Sequence, residues 1–423
     1  MSSLLFQLER EDTPLEGSIR LDGSKSISNR ALIIQALCHE KFTIDFLSAS
    51  EDTVTMQKLL SSEDEVLDTG PAGTTFRFLT AFLAFQEGRK ILTGSERMKK
   101  RPIGALVDAL RVLGASIEYL EEEGYPPLQI DSPSSSRGGG RVEVISGISS
   151  QFISALLMVA PSLPSGLEIQ LKGPLVSRSY LEMTLALMNY FGVEYEWSGQ
   201  VIKVPGQEYL PRSFAVEADW SAASYHYANA ALSKESDLEL KGLFRNSLQG
   251  DAASVPLFKQ LGIQSTWTDS GVHLSKKTET AQVFEHHFIN CPDIAQTLAV
   301  ACAGKGVPGI FSGLETLRIK ETDRIIALQN EFAKIGVSFI KMPEKFRKKQ
   351  EGEYYLLEGK ATWLESPAFE TYDDHRMAMA FASLSMLNPV RIADPAVVRK
   401  SYPGFWQHLI DLGWTIRVNE GSF

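Results

Sequence analysis

The 423-residue sequence has few cysteines, no long apolar run and no excess of basic residues, and each shortage excludes a class of protein. Its three cysteines, Cys38, Cys291 and Cys302, are spaced too irregularly for a disulfide framework or a zinc knuckle, so we expect buried free thiols. No apolar run approaches the roughly 20 residues that cross a bilayer. Residues 1–10 lack the basic region and apolar core of a signal peptide, so we expect a cytoplasmic protein that does not bind a membrane.

The charge balance is acidic, with 42 basic residues, 52 acidic residues and a formal net charge of -10. This argues against nucleic acid as a partner, because nucleic acid is bound by a basic face. The hydrophobic share of 43% and the charged share of 22% are those of an ordinary globular protein, and the length favours two or more domains. Any bound anion must therefore meet a local cluster of lysines and arginines.

A pattern of helical segment, apolar residue, glycine and short strand recurs five times. Its glycines are Gly114, Gly192, Gly262, Gly336 and Gly413, spaced 78, 70, 74 and 77 residues apart. Glycine just past a helix is a common left-handed stop. A repeat of this length is a whole α/β subdomain, although a helix, a glycine and a strand also follow one another in unrelated α/β proteins.

A sixth copy should precede the first, with a helix at 53–60. The following residues 61–65 are short and polar, and the glycine and strand are missing. We therefore expect one shortened repeat.

Basic residues stand at several predicted helix starts, where the helix dipole disfavours a cation unless an anion docks there. Lys25 and Arg30 follow Gly23, with Ser24 or Ser26 as the cap. A glycine turn at 70–77 enters an apolar helix, and four cations occur within residues 97–101. Capped surface helices with solvated charges remain the alternative at each place.

Three further segments have the same ambiguity. Ser149 and Ser150 suit either a helix cap or a phosphate. If residues 318–324 are helical, Lys320 and Arg324 share one face, and an exposed salt-bridged helix is the alternative. The aspartates of 373–376 suit a helix start, whereas Arg376 needs an anion or those aspartates nearby. A set of His286, His287, Cys291 and Asp293 matches no standard metal site, so we expect no metal.

Together these segments resemble the EPSP synthase family over nearly the whole chain. The matching motifs, in family order, are SKSISNRAL (24–32), AGTTFR (72–77), RMKKRPIG (97–104), SSQF (149–152), LVSRSY (175–180), RNSLQGD (245–251), PD (292–293), RIKETDR (318–324) and DDHRMAM (373–379). The sister family, the UDP-N-acetylglucosamine enolpyruvyl transferases, lacks the KETDR element and usually has a loop cysteine that is missing here. That sister activity and a non-catalytic anion-binding relative are the alternatives.

The resemblance implies six βαβαββ subdomains arranged as two inverse α/β domains joined by two crossovers. By motif match, one domain is 23–217, and the other combines 1–22 with 218–423. It also implies a monomeric transferase that needs no cofactor. Shikimate 3-phosphate and phosphoenolpyruvate would give 5-enolpyruvylshikimate 3-phosphate and phosphate by addition and elimination, on the route to chorismate and the aromatic amino acids.

The resemblance assigns roles residue by residue. The catalytic residues would be Asp293 as base towards the hydroxyl, Glu321 as the group that exchanges the methyl proton, and Lys25 as acid for the leaving phosphate. The shikimate 3-phosphate ligands would be Lys25, Ser26, Arg30, Ser149, Ser150, Gln151, Ser177, Tyr180, Asp293, Thr316 and Lys320. The phosphoenolpyruvate ligands would be Lys25, Gly73, Thr74, Arg101, Gln151, Arg324, Arg376 and Lys400, with Arg77 and His375 in support.

Three positions depart from the family pattern. The family usually has Asn at Pro71 and at Thr316, and Pro at Phe78. Proline supplies neither an amide side chain nor an N–H, so one contact to phosphoenolpyruvate is in doubt. Because every charged residue of the expected site is present, we expect activity to survive.

Overall fold

The computed structural model describes residues 3–132, 138–145, 147, 149–277, 279–346 and 352–421. The chain divides into two units. The discontinuous unit consists of Met1–Asp22 and Ala218–Phe423, and the inserted unit is Gly23–Glu217. Each unit has its own cluster of buried apolar side chains. Within the described part of the chain, no helix has the length and apolar character to span a membrane.

The strands are short and occur along the whole chain. In chain order they are β1 (Ser3–Arg10), β2 (Leu15–Arg20), β3 (Ile44–Asp45), β4 (Val66–Asp68), β5 (Arg89–Thr93), β6 (Ser116–Tyr119), β7 (Leu128–Asp131), β8 (Gly140–Ile145), β9 (Leu167–Lys172), β10 (Glu196–Ser198), β11 (Val201–Val204), β12 (Phe214–Ala215), β13 (Ser236–Lys241), β14 (Ile263–Trp267), β15 (Gly271–Lys276), β16 (Phe284–His287), β17 (Gly309–Ser312), β18 (Ser338–Lys341), β19 (Tyr354–Glu358), β20 (Ala368–Phe369), β21 (Val390–Ala393) and β22 (Trp414–Gly421).

Helices alternate with these strands. They are α1 (Lys25–Leu37), α2 (Glu51–Leu60), α3 (Gly73–Leu83), α4 (Glu96–Lys99), α5 (Gly104–Val112), α6 (Ser150–Val159), α7 (Arg178–Tyr190), α8 (Trp220–Leu232), α9 (Ser254–Gln260), α10 (Ala295–Lys305), α11 (Arg324–Ala333), α12 (His375–Ala382) and α13 (Phe405–Asp411).

Five four-stranded sheets in the described part of the chain share one topology. Their orders are β4-β5-β7-β6, β8-β9-β11-β10, β2-β13-β15-β14, β16-β17-β19-β18 and β20-β21-β1-β22. In each sheet the first pair is parallel and the next two pairs are antiparallel. A parallel pair needs a crossover, whereas the antiparallel strands can be joined by a hairpin. The βαβαββ repeat and the α/β class are thereby confirmed.

The shortened repeat is the two-stranded sheet of β3 and β12. It keeps the parallel pair, with Phe214 opposite Ile44. The helix α2 ends at Leu60, and the chain passes directly to β4 of the next sheet. The missing part is the antiparallel hairpin, which agrees with the absent glycine and strand after 60.

The five repeat glycines all adopt left-handed backbone conformations just past a helix. Their φ angles are 94° at Gly114, 88° at Gly192, 83° at Gly262, 70° at Gly336 and 94° at Gly413. An L side chain would be strained at these angles, so the sequence needs glycine to turn the chain from the helix into the next strand.

Three helices in each unit are packed against one another in the interior. In the discontinuous unit these are α8, α10 and α12, and in the inserted unit α1, α3 and α6. A helix that is apolar nearly all round must be covered on every side. The strands alternate between buried and exposed residues, as in β8 and β9, so each sheet has one covered and one exposed face. This is the inverse arrangement, with helices inside and sheets outside.

Candidate active site

Half of the predicted site residues lie in the first turn of an interior helix or immediately before it. Lys25 and Gly73 begin α1 and α3, and Gln151 is the second residue of α6. In the discontinuous unit Asp293 lies two residues before α10, and Arg376 is the second residue of α12. Helix starts have unpaired backbone N–H groups and a partial positive charge, so they attract anions.

In the discontinuous unit, one buried arginine pairs with three carboxylates. Arg324, the first residue of α11, is 1% exposed on its side chain. Its Nη1 donates to Oδ1 of Asp293 at 3.2 Å, and its Nη2 donates to Oε2 of Glu321 at 2.9 Å. Its Nε donates to Oδ2 of Asp374 at 2.7 Å. The two carboxylates predicted to be catalytic are therefore held by the same guanidinium group.

Three further cations complete this network. Nη2 of Arg376 lies 3.2 Å from Oδ2 of Asp293, and Nζ of Lys400 lies 3.1 Å from Oε1 of Glu321. Nζ of Lys320 lies 3.9 Å from Oδ1 of Asp293. With Arg324 and Asp374 the network has four cations and three carboxylates, so it retains one positive charge that suits a small polyanion.

Burial and charge shift the ionisation of this network. Burial alone would lower the pKa of Arg324, but the charges of Asp374 and Glu321 outweigh it, so the pKa lies above its ordinary value. Loss of hydration lowers the pKa of Lys320, and the Asp293 carboxylate opposes this shift. Burial also raises the pKa of Asp251 to about 7, with the charge of Asp293 adding to the rise.

In the inserted unit, a hydrogen-bonded group connects the starts of α3 and α6. Nη1 of Arg77 donates to the Gly73 carbonyl at 3.0 Å and to Oε1 of Gln151 at 2.9 Å. Nε2 of Gln151 donates to Oγ1 of Thr74 at 3.0 Å. A Cβ atom built on Gly73 would lie 2.3 Å from Nη1 of Arg101, so only glycine lets that guanidinium approach the helix start.

Lys25, at the start of α1, pairs with an acid in the first turn of α2. Its Nζ is 3.2 Å from Oδ2 of Asp52, which is nearly buried. The hydroxyl of Thr75 donates to the Asp52 carbonyl at 2.9 Å. Asp52 therefore fixes the ammonium of α1 beside the first turn of α2 and the start of α3.

Arg30 has a different environment from that expected of a substrate ligand, because it is 2% exposed. Its Nε donates to Oγ1 of Thr184, its Nη2 to Oγ of Ser154, and its Nη1 to the carbonyl of Ser26. Burial lowers the pKa of Arg30 to about 10. These contacts tie α1 to α6 and α7, and they support the backbone that carries Ser26.

The serine residues occupy helix starts. Ser149 is the N-cap of α6, where its hydroxyl accepts the Gln151 N–H at 3.3 Å, and Ser150 follows it. Ser177 precedes α7 with φ of 54°, a left-handed conformation that is unusual for serine. Such strain concentrates at functional sites. Tyr180, in the first turn of α7, has its ring 5.8 Å from the Arg30 guanidinium.

The three departures from the family pattern have different surroundings. Pro71 is exposed in a turn closed by the Ala72 N–H and the Thr69 carbonyl at 3.1 Å, so the turn does not need an N–H at Pro71. Phe78 is 1% exposed, with its ring 5.3 Å from the Arg30 guanidinium. Among the described residues the Oγ1 of Thr316 is buried without a hydrogen-bond partner.

Two local expectations are wrong. Residues 318–324 do not form one helix, because a 3-10 turn ends at Ile319 and α11 begins only at Arg324. Lys320 and Arg324 are instead brought together by their shared partner Asp293. Ser24 is the N-cap position of α1, but its side chain makes no capping hydrogen bond. His375 is buried, with Nδ1 3.9 Å from Oδ1 of Asp374.

Sequence reasoning missed the partners that hold the cations. Asp52 and Tyr225 lie outside the quoted motifs, and Tyr225 accepts a hydrogen bond from Nη1 of Arg376 at 3.4 Å. Asp374 stands in the DDHRMAM motif as part of a predicted helix start, but the sequence does not indicate its pairing with Arg324. These pairings have no local signal, because 27 residues separate Lys25 from Asp52, 50 separate Arg324 from Asp374, and 151 separate Arg376 from Tyr225. Across the described residues, no group of three or more histidine, cysteine, aspartate or glutamate side chains is placed to hold a metal ion.

The family model described as EPSP synthase (3-phosphoshikimate 1-carboxyvinyltransferase) matches residues 10–62 and 55–409. A 3-phosphoshikimate 1-carboxyvinyltransferase of Bacteroides fragilis is 45% identical over 408 residues, which cover 96% of this chain and 97% of the relative. One from a Sulfurovum species is 39% identical over 428 residues, covering 93% and 96%. The structure of an EPSP synthase from Acinetobacter baumannii matches in fold, with a TM-score of 0.78 at 21% identity, and covers 99% of this chain and 100% of that one.

Proposed function

The chain belongs to the EPSP synthase family, and from that premise we propose that it transfers the enolpyruvyl group of phosphoenolpyruvate to the 5-hydroxyl of shikimate 3-phosphate. The products are 5-enolpyruvylshikimate 3-phosphate and phosphate, on the route to chorismate. The observation that carries the proposal is the pairing of both candidate proton-transfer groups, Asp293 and Glu321, with one arginine inside a cluster of four cations. We further propose a cytoplasmic monomer.

The addition step needs a base and an acid. Asp293 takes the proton of the 5-hydroxyl while that oxygen bonds to the central carbon of phosphoenolpyruvate. Glu321 enters this step as the carboxylic acid, supplies the proton that converts the methylene carbon into a methyl group, and is left as a carboxylate. Arg324 is bonded to both carboxylates, at 3.2 Å and 2.9 Å, and so sets their separation.

The elimination step reverses the proton movement at the methyl group. The bond from the central carbon to the phosphate oxygen breaks, Glu321 takes back a methyl proton, and the double bond forms again. Lys25 protonates the departing phosphate. Its Nζ already lies 3.2 Å from Asp52, which holds the ammonium at the start of α1.

The remaining residues bind the two anions. Arg324, Arg376 and Lys400, with Arg101 and the backbone at Gly73 and Thr74, hold phosphoenolpyruvate, because guanidinium groups pair with carboxylate and phosphate through two parallel hydrogen bonds. The shikimate 3-phosphate ligands are Ser26, Ser149, Ser150, Gln151, Ser177, Tyr180, Thr316 and Lys320. Arg30 supports Ser26 from the interior, as its three hydrogen bonds favour.

The test is phosphate release from phosphoenolpyruvate in the presence of shikimate 3-phosphate, with the vinyl protons of the product identified by nuclear magnetic resonance. We expect Lys25→Ala to reduce turnover by about a hundredfold or more, the usual effect of losing a general acid. Lys58→Ala, at an exposed position of α2, is the matched control and should keep full activity. Wild-type release no faster than that of Lys25→Ala, or turnover of UDP-N-acetylglucosamine instead, would contradict the proposal.

A further inference from the structure

Asp374 has no assigned part in the reaction, yet it is the most deeply buried acid of the network. Its side chain is 0% exposed. Oδ2 accepts from Nε of Arg324 at 2.7 Å, and Oδ1 accepts from Nη2 of the same arginine at 3.3 Å. This two-point contact uses the inner edge of the guanidinium and leaves Nη1 and the outer side of Nη2 for Asp293 and Glu321.

The same carboxylate also fixes the second arginine of the network. Asp374 is the N-cap of α12, and its Oδ1 accepts the N–H of Arg376 at 2.9 Å. Arg376 is the second residue of that helix, so the position of its side chain depends on where the helix starts. One buried acid thus sets the start of α12 and the orientation of Arg324 on α11.

The turn before Asp374 is held in a strained conformation. Tyr372 and Asp373 have φ of 54° and 55°, both left-handed. The hydroxyl of Tyr372 donates to Oε1 of Glu331 at 2.6 Å, and Glu331 is a buried residue of α11. The turn is therefore anchored to the helix that begins with Arg324. Backbone strain that the surrounding structure maintains is typical of segments that hold functional side chains in place.

Electrostatic and geometric arguments predict opposite effects on the binding of an anionic substrate when Asp374 is removed. If only the electrostatic potential mattered, removing a negative charge beside Arg324 would strengthen the binding of an anionic substrate. It would also leave a buried guanidinium without its strongest partner, and Asp293 and Glu321 would then compete for it. We expect the geometric effect to dominate, because Asp374 holds both arginines directly, through hydrogen bonds of 2.7 Å and 2.9 Å. Arginines that are fixed before the substrate arrives lower the entropic cost of binding it.

We propose that Asp374 is a positioning residue for the phosphoenolpyruvate clamp, which it builds by orienting Arg324 and by capping the helix that carries Arg376. This inference rests on the proposed function. It assigns to Asp374 an effect on the binding of phosphoenolpyruvate that is greater than its effect on the binding of shikimate 3-phosphate.

The experiment compares Asp374→Asn and Asp374→Glu with the matched control Asp373→Asn. Asp373 is exposed, and asparagine tolerates its left-handed backbone. The KM of each substrate and kcat are measured by phosphate release, and folding is checked by circular dichroism. We expect Asp374→Asn to raise the KM of phosphoenolpyruvate by about tenfold or more, because a charged hydrogen bond is lost. The KM of shikimate 3-phosphate and all constants of the control should stay within about twofold.

Asp374→Glu separates geometry from charge, since it keeps the carboxylate and lengthens its reach. We expect its KM for phosphoenolpyruvate to rise by about threefold or more, and this variant decides the matter if Asp374→Asn does not fold. A wild-type KM in either folded variant, a tighter KM in Asp374→Asn, or a fall in kcat with both KM values unchanged would overturn the inference. A wild-type protein inactive with both substrates would instead refute the proposed function, and the inference with it.

Discussion

A methyl group added at Gly73 should weaken the binding of phosphoenolpyruvate. Gly73 begins α3 without a positive φ, so Gly73→Ala meets no backbone strain. The new Cβ atom would lie 2.3 Å from Nη1 of Arg101 and 2.6 Å from Nη1 of Arg77. Both distances are far below carbon–nitrogen contact, so both guanidinium groups must move away from the new methyl group, by about 1 Å for Arg101.

Arg101 moves further than Arg77. Arg77 is held by the Gly73 carbonyl and by Gln151, whereas the side chain of Arg101 makes no hydrogen bond or ion pair within the described part of the chain. A shift of this size breaks one charged hydrogen bond to a bound anion, worth about 1.5–3 kcal/mol. The KM of phosphoenolpyruvate should therefore rise by about 10- to 150-fold.

Steady-state phosphate release with each substrate varied in turn measures this effect. Gly104→Ala is the matched control, since it also adds a methyl group at a helix start of the inserted unit, where the nearest atom lies at an ordinary 3.4 Å. The control should keep wild-type constants. A KM for phosphoenolpyruvate within about threefold of wild type in Gly73→Ala would refute the placement of Arg101 against this helix start.

Two further predictions concern stability. Because the pKa of Asp251 is raised to about 7 in the folded protein, this carboxyl stabilises the fold below its ordinary pKa, and the contribution is lost as the pH rises to 7. In denaturant unfolding, the free energy of unfolding of Asp251→Asn should rise relative to that of the wild type by on the order of 2 kcal/mol between pH 5 and pH 8. Parallel pH profiles of the two unfolding free energies would contradict this. Gly114→Ala, whose Cβ would meet no atom within 4 Å at φ of 94°, should lose about 1–2 kcal/mol of unfolding free energy with unchanged kinetic constants. An unchanged denaturation midpoint would show that the left-handed conformation is not required there.

Much of the fold could be predicted because its repeats depend on local chemistry. A glycine that must adopt a left-handed conformation, as at Gly262 and Gly336, is a signal within one or two residues of the helix end. The shortened repeat was equally visible, because a polar stretch after 60 replaces the glycine and strand. The position of β1 between β21 and β22 could not be read from spacing, since it depends on pairing across almost the whole chain.

Only part of the charged site could be predicted from the sequence. Lys25, Arg324 and Arg376 could be singled out because cations at helix starts are unfavourable without an anion or an acid. The pairing of Lys25 with Asp52 and of Arg324 with Asp374 could not be predicted, because 27 and 50 residues separate the partners and no periodicity or spacing reveals how deeply a carboxylate is buried. The interior contacts of Arg30 were hidden for the same reason, since Thr184 lies 154 residues away. The catalytic and binding roles themselves stay predictions.

The placement of β1 has a consequence for how the protein is made. This strand is the third of the sheet β20-β21-β1-β22, whose other members come from the end of the chain. The inserted unit is continuous and can fold on emerging from the ribosome, whereas residues Ser3–Arg10 must wait until β22 has been synthesised. Until then their apolar side chains, among them Leu5 and Leu8, lack their final cover, so we expect the nascent chain to be prone to aggregation during this interval.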